Sequence, residues 1–294
     1  MPSQKTDASI IENEKQLIKD TAGLSSTDEI IFNDRGWDSR VYSFGDCYYF
    51  KFPRSEKIQS RYKYEIAAIK FMANLNVRIV AQKILWEHPA NAYFGYEGVQ
   101  GQPVSSIIDK LESSQKQTVG NVLGDFLKHF HELKLPGART MSLEDESKQI
   151  QRWYEDSKAI IQKWFTETEQ HKLHNLVYEE WPSKLIELGS EPVLCHGDLH
   201  FENVLYDESG TVGIIDFGDV AYFDRSKDFL ELEEDEEIFG AALKTYGNQD
   251  SNLKQKIAVR QAMIQIINLG FHAGKDDEAN IERTVEKIRA KLHM

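Results

Sequence analysis

Residues 28–35 (DEIIFNDR), 40–44 (RVYSF) and 47–52 (CYYFKF) are short β-branched and aromatic runs separated by Gly36 and by Gly45-Asp46. Such runs, bounded by turn formers, predict consecutive antiparallel strands, the third ended by Pro53, which has no amide proton for a ladder. In the next stretch, SRYKYEIAAIKFMANL, apolar side chains return at Tyr62, Ile66, Ile69 and Ala73, the spacing of one helix face. Further short strands are predicted around 84–86 and 93–99. After Gly98 and Gly101-Gln102-Pro103 the period changes: Val119, Val122, Leu123, Phe126, Leu127, Phe130 and Leu133 form a helical stripe ended by Leu135-Pro136-Gly137. Helical patterns continue over 150–165 and 173–188, a hairpin is predicted from 204–206 and 212–215 around DESG, and the remainder reads as helix. The expected organisation is a β-rich lobe (1–97), a connector (98–102) and a mainly helical lobe (103–294). A chain of 294 residues suits two lobes, since single cores stop growing near roughly 250 to 300 residues.

Charge narrows the partners. The formal net charge is −13, from 48 Asp and Glu against 35 Lys and Arg, which disfavours nucleic acid and favours a cationic ligand. No window approaches the ~18 unbroken apolar residues of a membrane span, and the polar start MPSQKTDASIIENEKQ has no secretory-type stretch, so a cytoplasmic protein is expected. The two cysteines, Cys47 and Cys195, have neither disulfide-framework nor zinc-like spacing. A monomer is the default.

The chemistry concentrates in HGDLHFENVLY (196–206) and VGIIDFGDV (212–220). Asn203 and Asp216 offer hard oxygen ligands for Mg²⁺, while Asp198 remains free to accept a proton from a hydroxyl or to orient it. The order D-x-x-x-x-N, apolar strand, D-F-G is that of a kinase catalytic loop and metal aspartate. Taken singly, these residues also suit caps and turns; in this order they point to phosphoryl transfer. His196 and His200 read as residues that orient the loop, since a third zinc ligand at suitable spacing is missing. Phosphoryl transfer also needs a cation on the donor phosphates held by a helical acid. Lys51, between Phe50 and Phe52, and Glu65, fourteen positions later on the predicted helix, meet that need. The phosphate-covering loop would be NDRGWDSRVY. It holds only Gly36 where protein kinases carry G-x-G-x-x-G, so Ser39 or the backbone after Trp37 is expected to contact phosphate.

Together, HGDLHFENVLYD, IIDFGD, FKFPR and YEIAAIKFM resemble the aminoglycoside phosphotransferase family over about residues 28–240. The stretch IIDFGDVAYFDRSKDFLELEEDEEIFG is most similar to its 2''-phosphotransferase branch. The resemblance implies an α+β, bilobal, protein-kinase-like fold with an antiparallel-sheet first lobe and a mainly helical second lobe. It implies ATP or GTP as donor, Mg²⁺, a catalytic aspartate at Asp198, metal ligands at Asn203 and Asp216 and a nucleotide lysine at Lys51. The activity implied is transfer of the γ-phosphate to a hydroxyl of an aminoglycoside, hence antibiotic resistance. Tyr96, Glu97 and Val99 would present backbone groups to the purine, with the bulk of Tyr96 narrowing the base pocket in favour of guanine.

The acceptor is sought in DFLELEEDEE (228–237), where seven of ten residues are acidic. On a helix Glu231, Glu234 and Glu237 share a face, and like charges so placed repel by a few tenths of a kcal/mol per pair. An acceptor with several ammonium groups would offset that repulsion, although a solvated helix face has the same composition. The branch implies Asp219, Glu234 and Glu237 as substrate-binding acids. The catalytic loop alone does not choose among acceptors. A macrolide pocket would be apolar with one anionic site. A choline pocket would be an aromatic cage, for which Trp153, Tyr154, Trp164, Phe165 and Trp181 are available, and a sugar is a further small metabolite of the same kind. A pseudokinase would lack a base or a metal ligand, and none is missing. No A-P-E segment of a protein kinase follows Asp216.

Overall fold

The aromatic runs of the first lobe assemble into an antiparallel sheet because their side chains alternate between two apolar layers. In the computed structural model, which describes residues 6–34, 36, 38–45, 47–73, 78–273 and 278–291, this lobe contains α1 (Ala8–Ala22), β1 (Ile31–Asn33), β2 (Ser39–Phe44), β3 (Tyr48–Pro53), α2 (Glu56–Met72), β4 (Ile79–Ala81), β5 (Lys83–Glu87) and β6 (Phe94–Glu97). Asp46, read as part of a turn, and Trp37, in the expected phosphate-covering loop, lie outside the described residues. The sheet order is β1-β2-β3-β6-β5 with antiparallel neighbours throughout. On β3, Phe50 and Phe52 join Ile18 of α1 in one layer, and the two-residue period turns Tyr49 and Lys51 toward the other.

Helix α2 closes that second face. Ser55 caps it by accepting from the Ile58 amide, and its buried stripe runs Ile58, Tyr62, Glu65, Ile66, Ile69, Met72. Glu65 is the one acid on this stripe. Helix α1, which hydrophobic periodicity does not announce, is tied down by a buried carboxylate. Glu14 accepts two short bonds from Arg40 (2.9 Å from Nε, 2.6 Å from Nη2) and one from the Tyr42 hydroxyl (2.6 Å).

Residues 98–101 connect to the second lobe, which begins with β7 (Gln102–Pro103), α3 (Val104–Ile107) and α4 (Ser113–Phe130). Helices α5 (Leu143–Asp156), α6 (Lys158–Trp164), α7 (Glu167–Asn175) and α8 (Trp181–Leu188) follow, then β8 (Pro192–Cys195), β9 (Val204–Tyr206), β10 (Val212–Ile214) and β11 (Ala221–Asp224). The chain ends in α9 (Glu236–Tyr246), α10 (Leu253–Ala273) and α11 (Glu278–Lys291). The lobes share structure: β4 of the first lobe pairs in parallel with β10, giving a small sheet of order β4-β10-β9-β7 beneath the catalytic segments. One core runs continuously from α2 and β6 into α4 and this sheet, and a second lies among α5, α8, α10 and α11. No helix among the described residues is long and apolar enough to cross a membrane.

Three expectations need correction. The pattern over 150–165 is two helices broken at Ser157, and residues 221–224 form β11, paired with β8, within the stretch expected to be helical. Residues 228–237 are not one helix. They form 3₁₀ turns at Arg225–Phe229 and Leu232–Glu234, after which Asp235 is extended and caps α9 by accepting from the amides of Glu237 (3.1 Å) and Ile238 (3.0 Å). Its side chain competes with helix hydrogen bonding and restarts the helix one residue later. Glu231, Glu234 and Glu237 therefore share no helix face.

Helix α9 lies against α4 at backbone distance, because Gly120 and Gly124 face the Ile238 and Ala242 carbonyls where a Cβ would overlap them. Gly124→Ala is expected to cost about 1–3 kcal/mol through overpacking, seen as a lower urea midpoint. Gly240→Ala, on the open side of α9 with no atom within 4 Å, is expected to be neutral or to stabilise by up to about 1 kcal/mol.

Candidate active site

The HGD segment leaves β8 in a turn that requires glycine. Gly197 has φ +86°, and a Cβ there would stand 2.5 Å from the Asp219 carbonyl oxygen. The turn is held by Asp228, fully buried, whose carboxylate accepts from the His196 amide (2.8 Å) and the Gly197 amide (2.9 Å). His131, the C-cap residue of α4, lies 3.2 Å from the same carboxylate, and its Nδ1 is 2.8 Å from the Tyr246 hydroxyl at the end of α9. Burial alone would raise the Asp228 pKa, but the imidazole and the amides outweigh it and hold the group below the usual carboxylate range. Cys195 completes a trio with His131 and Asp228 whose ligand atoms lie within 4.8 Å of one another. Burial pushes the Cys195 thiol well up, so it stays protonated, and the Asp228 oxygens are committed to amides. This trio is an anchor for the loop.

Asp198 stands at the loop's apex, its side chain 44% exposed. His200 Nε2 lies 3.4 Å from its carboxylate, and Asn203 Nδ2 donates to the Asp198 carbonyl at 2.9 Å. His200 first, with burial opposing, holds the Asp198 carboxyl below its ordinary value, and Asp198 in turn raises His200. His196 reaches forward to the Ile215 carbonyl (3.1 Å), just before Asp216. Both histidines thus orient the loop. Asp216 adopts φ 64° and ψ 67°, a left-handed conformation uncommon outside glycine and asparagine, which turns its carboxylate out of the β10 strand.

Lys51 bridges the lobes. Its Nζ is 2.6 Å from Glu65 and 3.1 Å from Asp216. Burial works against its charge, but the Asp216 and Glu65 carboxylates prevail and raise its pKa well above the ordinary value. Glu65 is raised, chiefly by burial, and Asp216 is lowered, chiefly by Lys51. Asn203 uses its Nδ2 for its side-chain hydrogen bonds, so its Oδ1 meets no donor among the described residues. With the half-exposed Asp216 carboxylate, the loop offers two hard oxygens of the kind Mg²⁺ takes.

Tyr96 and Glu97 end β6, and Val99 lies in the connector, so all three stand where the lobes meet. Tyr96 is buried and stacks on Tyr49 at 5.6 Å. Val99 lies against Gly213 of β10, and Glu97 pairs across the sheet with Tyr48 and Lys83. Ser39 is 4% exposed and accepts from the Tyr62 hydroxyl at 2.8 Å. Its hydroxyl faces α2. The loop before it is held by Arg54, which donates to the Gly36 carbonyl (2.9 Å) and pairs with Asp34.

On the other side of Asp198 opens a cavity of about 300 Å³ that Asp219 and Glu231 also line. Asp219 and Glu231 are both raised, mainly by burial. Arg61 stands 3.4 Å from Asp219. The far wall is apolar, with Ile150, Met263, Ile264, Ile267 and the buried ring of Trp181. Glu234 and Glu237 are exposed and do not line this cavity; Glu237 is bonded to Ser113 at the start of α4. Of the five aromatics available for a cage, only Trp181 reaches it; Tyr154 and Phe165 are buried in the second core. Glu231 was legible as a member of the acidic run, but its position follows from the 3₁₀ geometry. Lys227, Arg139 and the Glu146–Arg260 pair (2.9 Å), also on the wall, carried no sequence signal.

Comparison with known proteins agrees with the fold. The model of the phosphotransferase enzyme family matches residues 29–253. An uncharacterized protein of Bacillus subtilis (strain 168), YcbJ, is 22% identical over 92% of this chain and 95% of its own length. The GDP and kanamycin complex of an APH(2'') enzyme superposes with a TM-score of 0.74 at 20% identity, covering 95% of this chain and 98% of that one. A macrolide 2'-phosphotransferase type I gives 0.64 at 15% identity, covering 97% and 99%. With its kinase-like bilobal fold and the family's match over most of its length, the chain belongs to the phosphotransferase enzyme family.

Proposed function

We propose that this protein transfers the γ-phosphate of ATP or GTP to a hydroxyl of a small cationic acceptor, an aminoglycoside in the leading reading, and so confers antibiotic resistance. The observation that carries the proposal is the placement of Asp198 at the mouth of a cavity that Asp219 and Glu231 also line. Asp198 accepts the hydroxyl proton, while Asp219 and Glu231 take ammonium groups of the acceptor by charge-assisted hydrogen bonds. Glu234 and Glu237, exposed beyond this wall, would meet only an acceptor large enough to extend past it. Lys51, fixed by Glu65, aligns the donor phosphates, and Tyr96, Glu97 and Val99 present the connector to the base, Tyr96 narrowing access to it. Asn203 Oδ1 and Asp216 would hold Mg²⁺, which when bound neutralises triphosphate charge. A nucleoside triphosphate donor and two unpaired cysteines fit a monomeric cytoplasmic protein.

The apolar wall of Ile150, Trp181, Met263, Ile264 and Ile267 favours a second reading, an acceptor with one ammonium group and a large apolar body, such as a macrolide. The two readings differ in how many carboxylates the acceptor uses.

Glu231→Gln is expected to raise the aminoglycoside KM about tenfold, the worth of one charge-assisted bond, with the nucleotide KM unchanged. Glu237→Gln is expected to stay within about twofold. An unchanged KM in Glu231→Gln would reject the carboxylate's role.

The His200–Asp198 pair sets a pH dependence. A depressed Asp198 pKa keeps the base ionised until the pH falls through that lowered value, and the raised His200 keeps its charge until the pH rises through its own. His200→Gln removes the largest cause of the Asp198 depression, so the acid limb of kcat/KM should move to higher pH. A limb that stays in place would show that Asp198 is not the titrating base.

A further inference from the structure

Transfer into this cavity raises a problem of charge. The monoester forms at Asp198, among Asp198, Asp219 and Glu231, while Lys51 and the metal ligands stand on the nucleotide side. Three cationic residues line the cavity among the described residues: Arg139, Lys227 and Arg260. Arg260 is occupied by Glu146 (2.9 Å) and Asp224 (3.3 Å). Arg139 is exposed and lies over the Phe223 ring at 5.8 Å. The Lys227 side chain is half-buried, and its ammonium makes no hydrogen bond, and no ion pair within 4.0 Å, among the described residues.

The position of Lys227 is nonetheless fixed. Its neighbour Asp228 holds the His196 and Gly197 amides at 2.8 and 2.9 Å, so the Lys227 backbone is fastened to the turn that carries Asp198. A half-buried ammonium without a partner is poorly compensated in the resting protein. Its charge acts on both Asp198 and Glu231, favouring their ionised forms. A cation not already neutralised by a close partner can bind more strongly as negative charge arrives, which is the condition for stabilising a transition state over a ground state.

We propose that Lys227 is a catalytic residue that binds the transferring phosphoryl group from the acceptor side, opposite Lys51. This rests on the phosphotransfer reading of the cavity. The acceptor oxygen forms its bond to the γ-phosphorus as the bond from that phosphorus to the β–γ bridging oxygen breaks. The electron pair of the broken bond leaves with the nucleoside diphosphate, and the hydroxyl proton passes to Asp198. Lys227 donates from Nζ to a phosphoryl oxygen as the group crosses, and offsets the Asp219 and Glu231 carboxylates that remain charged around the product.

Tetrafluoroaluminate bound with a nucleoside diphosphate and Mg²⁺ imitates the transferring group without requiring a known acceptor. Affinity for ADP and GDP, with and without fluoroaluminate, is measured by calorimetry for the wild type, Lys227→Met and Lys227→Arg. Fluoroaluminate is expected to tighten diphosphate binding to the wild type by at least about tenfold, with most of that gain lost in Lys227→Met and largely restored in Lys227→Arg. The diphosphate alone should bind all three alike, which also shows that the variants are folded. An equal gain in wild type and Lys227→Met, or no gain in a wild type that binds diphosphate, overturns the proposal. A wild type that binds neither diphosphate defeats the phosphotransfer reading itself. With a turning-over acceptor, Lys227→Met should lower kcat roughly 100-fold at nearly constant KM. A raised acceptor KM at constant kcat would instead assign Lys227 to an anionic group of the acceptor and overturn the proposal.

Discussion

The buried carboxylate of Asp228 is the constraint from which the site is built. It has no water to solvate it, so its charge is compatible with folding only if donors converge on it, and the donors are the His196 and Gly197 amides and the His131 ring. Satisfying one buried charge therefore fixes the catalytic turn in space. The same residue begins the acidic segment, so the segment's start, with Lys227 and Glu231, is carried to the cavity wall by the bond that shapes the turn. His131 extends the anchor into α4 and Tyr246 into α9, the two helices whose backbones meet at Gly120 and Gly124. Loop geometry, cavity wall and helix packing are thus parts of one hydrogen-bonded assembly.

A second electrostatic assembly spans the lobes. Lys51 is buried because strand alternation turns it away from Phe50 and Phe52 toward α2, and Glu65 is buried because it occupies the apolar stripe of that helix. Each charge would be costly alone; paired at 2.6 Å they stabilise one another at the junction of the lobes. Asp216 joins them from the second lobe at 3.1 Å, held outward by its left-handed backbone. Between the two assemblies lies Asp198, with the Lys51–Asp216 pair on one side and the cavity lined by Asp219 and Glu231 on the other.

The strands, the α2 and α4 stripes and the catalytic segments were legible because each depends on a local period or a fixed spacing. Lys51 and Glu65 could be paired from sequence because a strand followed at once by a helix leaves few ways to pack. Helix α1 escaped because its contact with the sheet is made by a glutamate and one fully buried isoleucine, Ile18, in a largely polar stretch. The acidic run was read as a helix because glutamate favours helices, but Asp235 spends its side chain on two amides and starts a new one. That break decides which acids face the cavity. Glu231 falls before it and reaches the cavity, whereas Glu234 and Glu237 turn to the surface. Ser39, named with the backbone after Trp37 as a phosphate contact for want of glycines, accepts from the Tyr62 hydroxyl, a contact between residues 23 positions apart that no local pattern announces. Lys227 stands out only against its surroundings, since its significance lies in the pairs its neighbours form.

The central claim is that a hydroxyl resting on Asp198 receives a phosphoryl group from a nucleotide held at Lys51. The most direct measurement is ³¹P NMR of the purified protein with Mg²⁺ and ATP or GTP, in the presence of kanamycin, gentamicin, erythromycin or choline, beside an Asp198→Asn control. The account predicts a new phosphomonoester resonance that grows with an ammonium-bearing acceptor as the triphosphate is consumed, and that is absent from the control. Monoester formation undiminished in Asp198→Asn, or triphosphate loss yielding only inorganic phosphate with every acceptor, would contradict it.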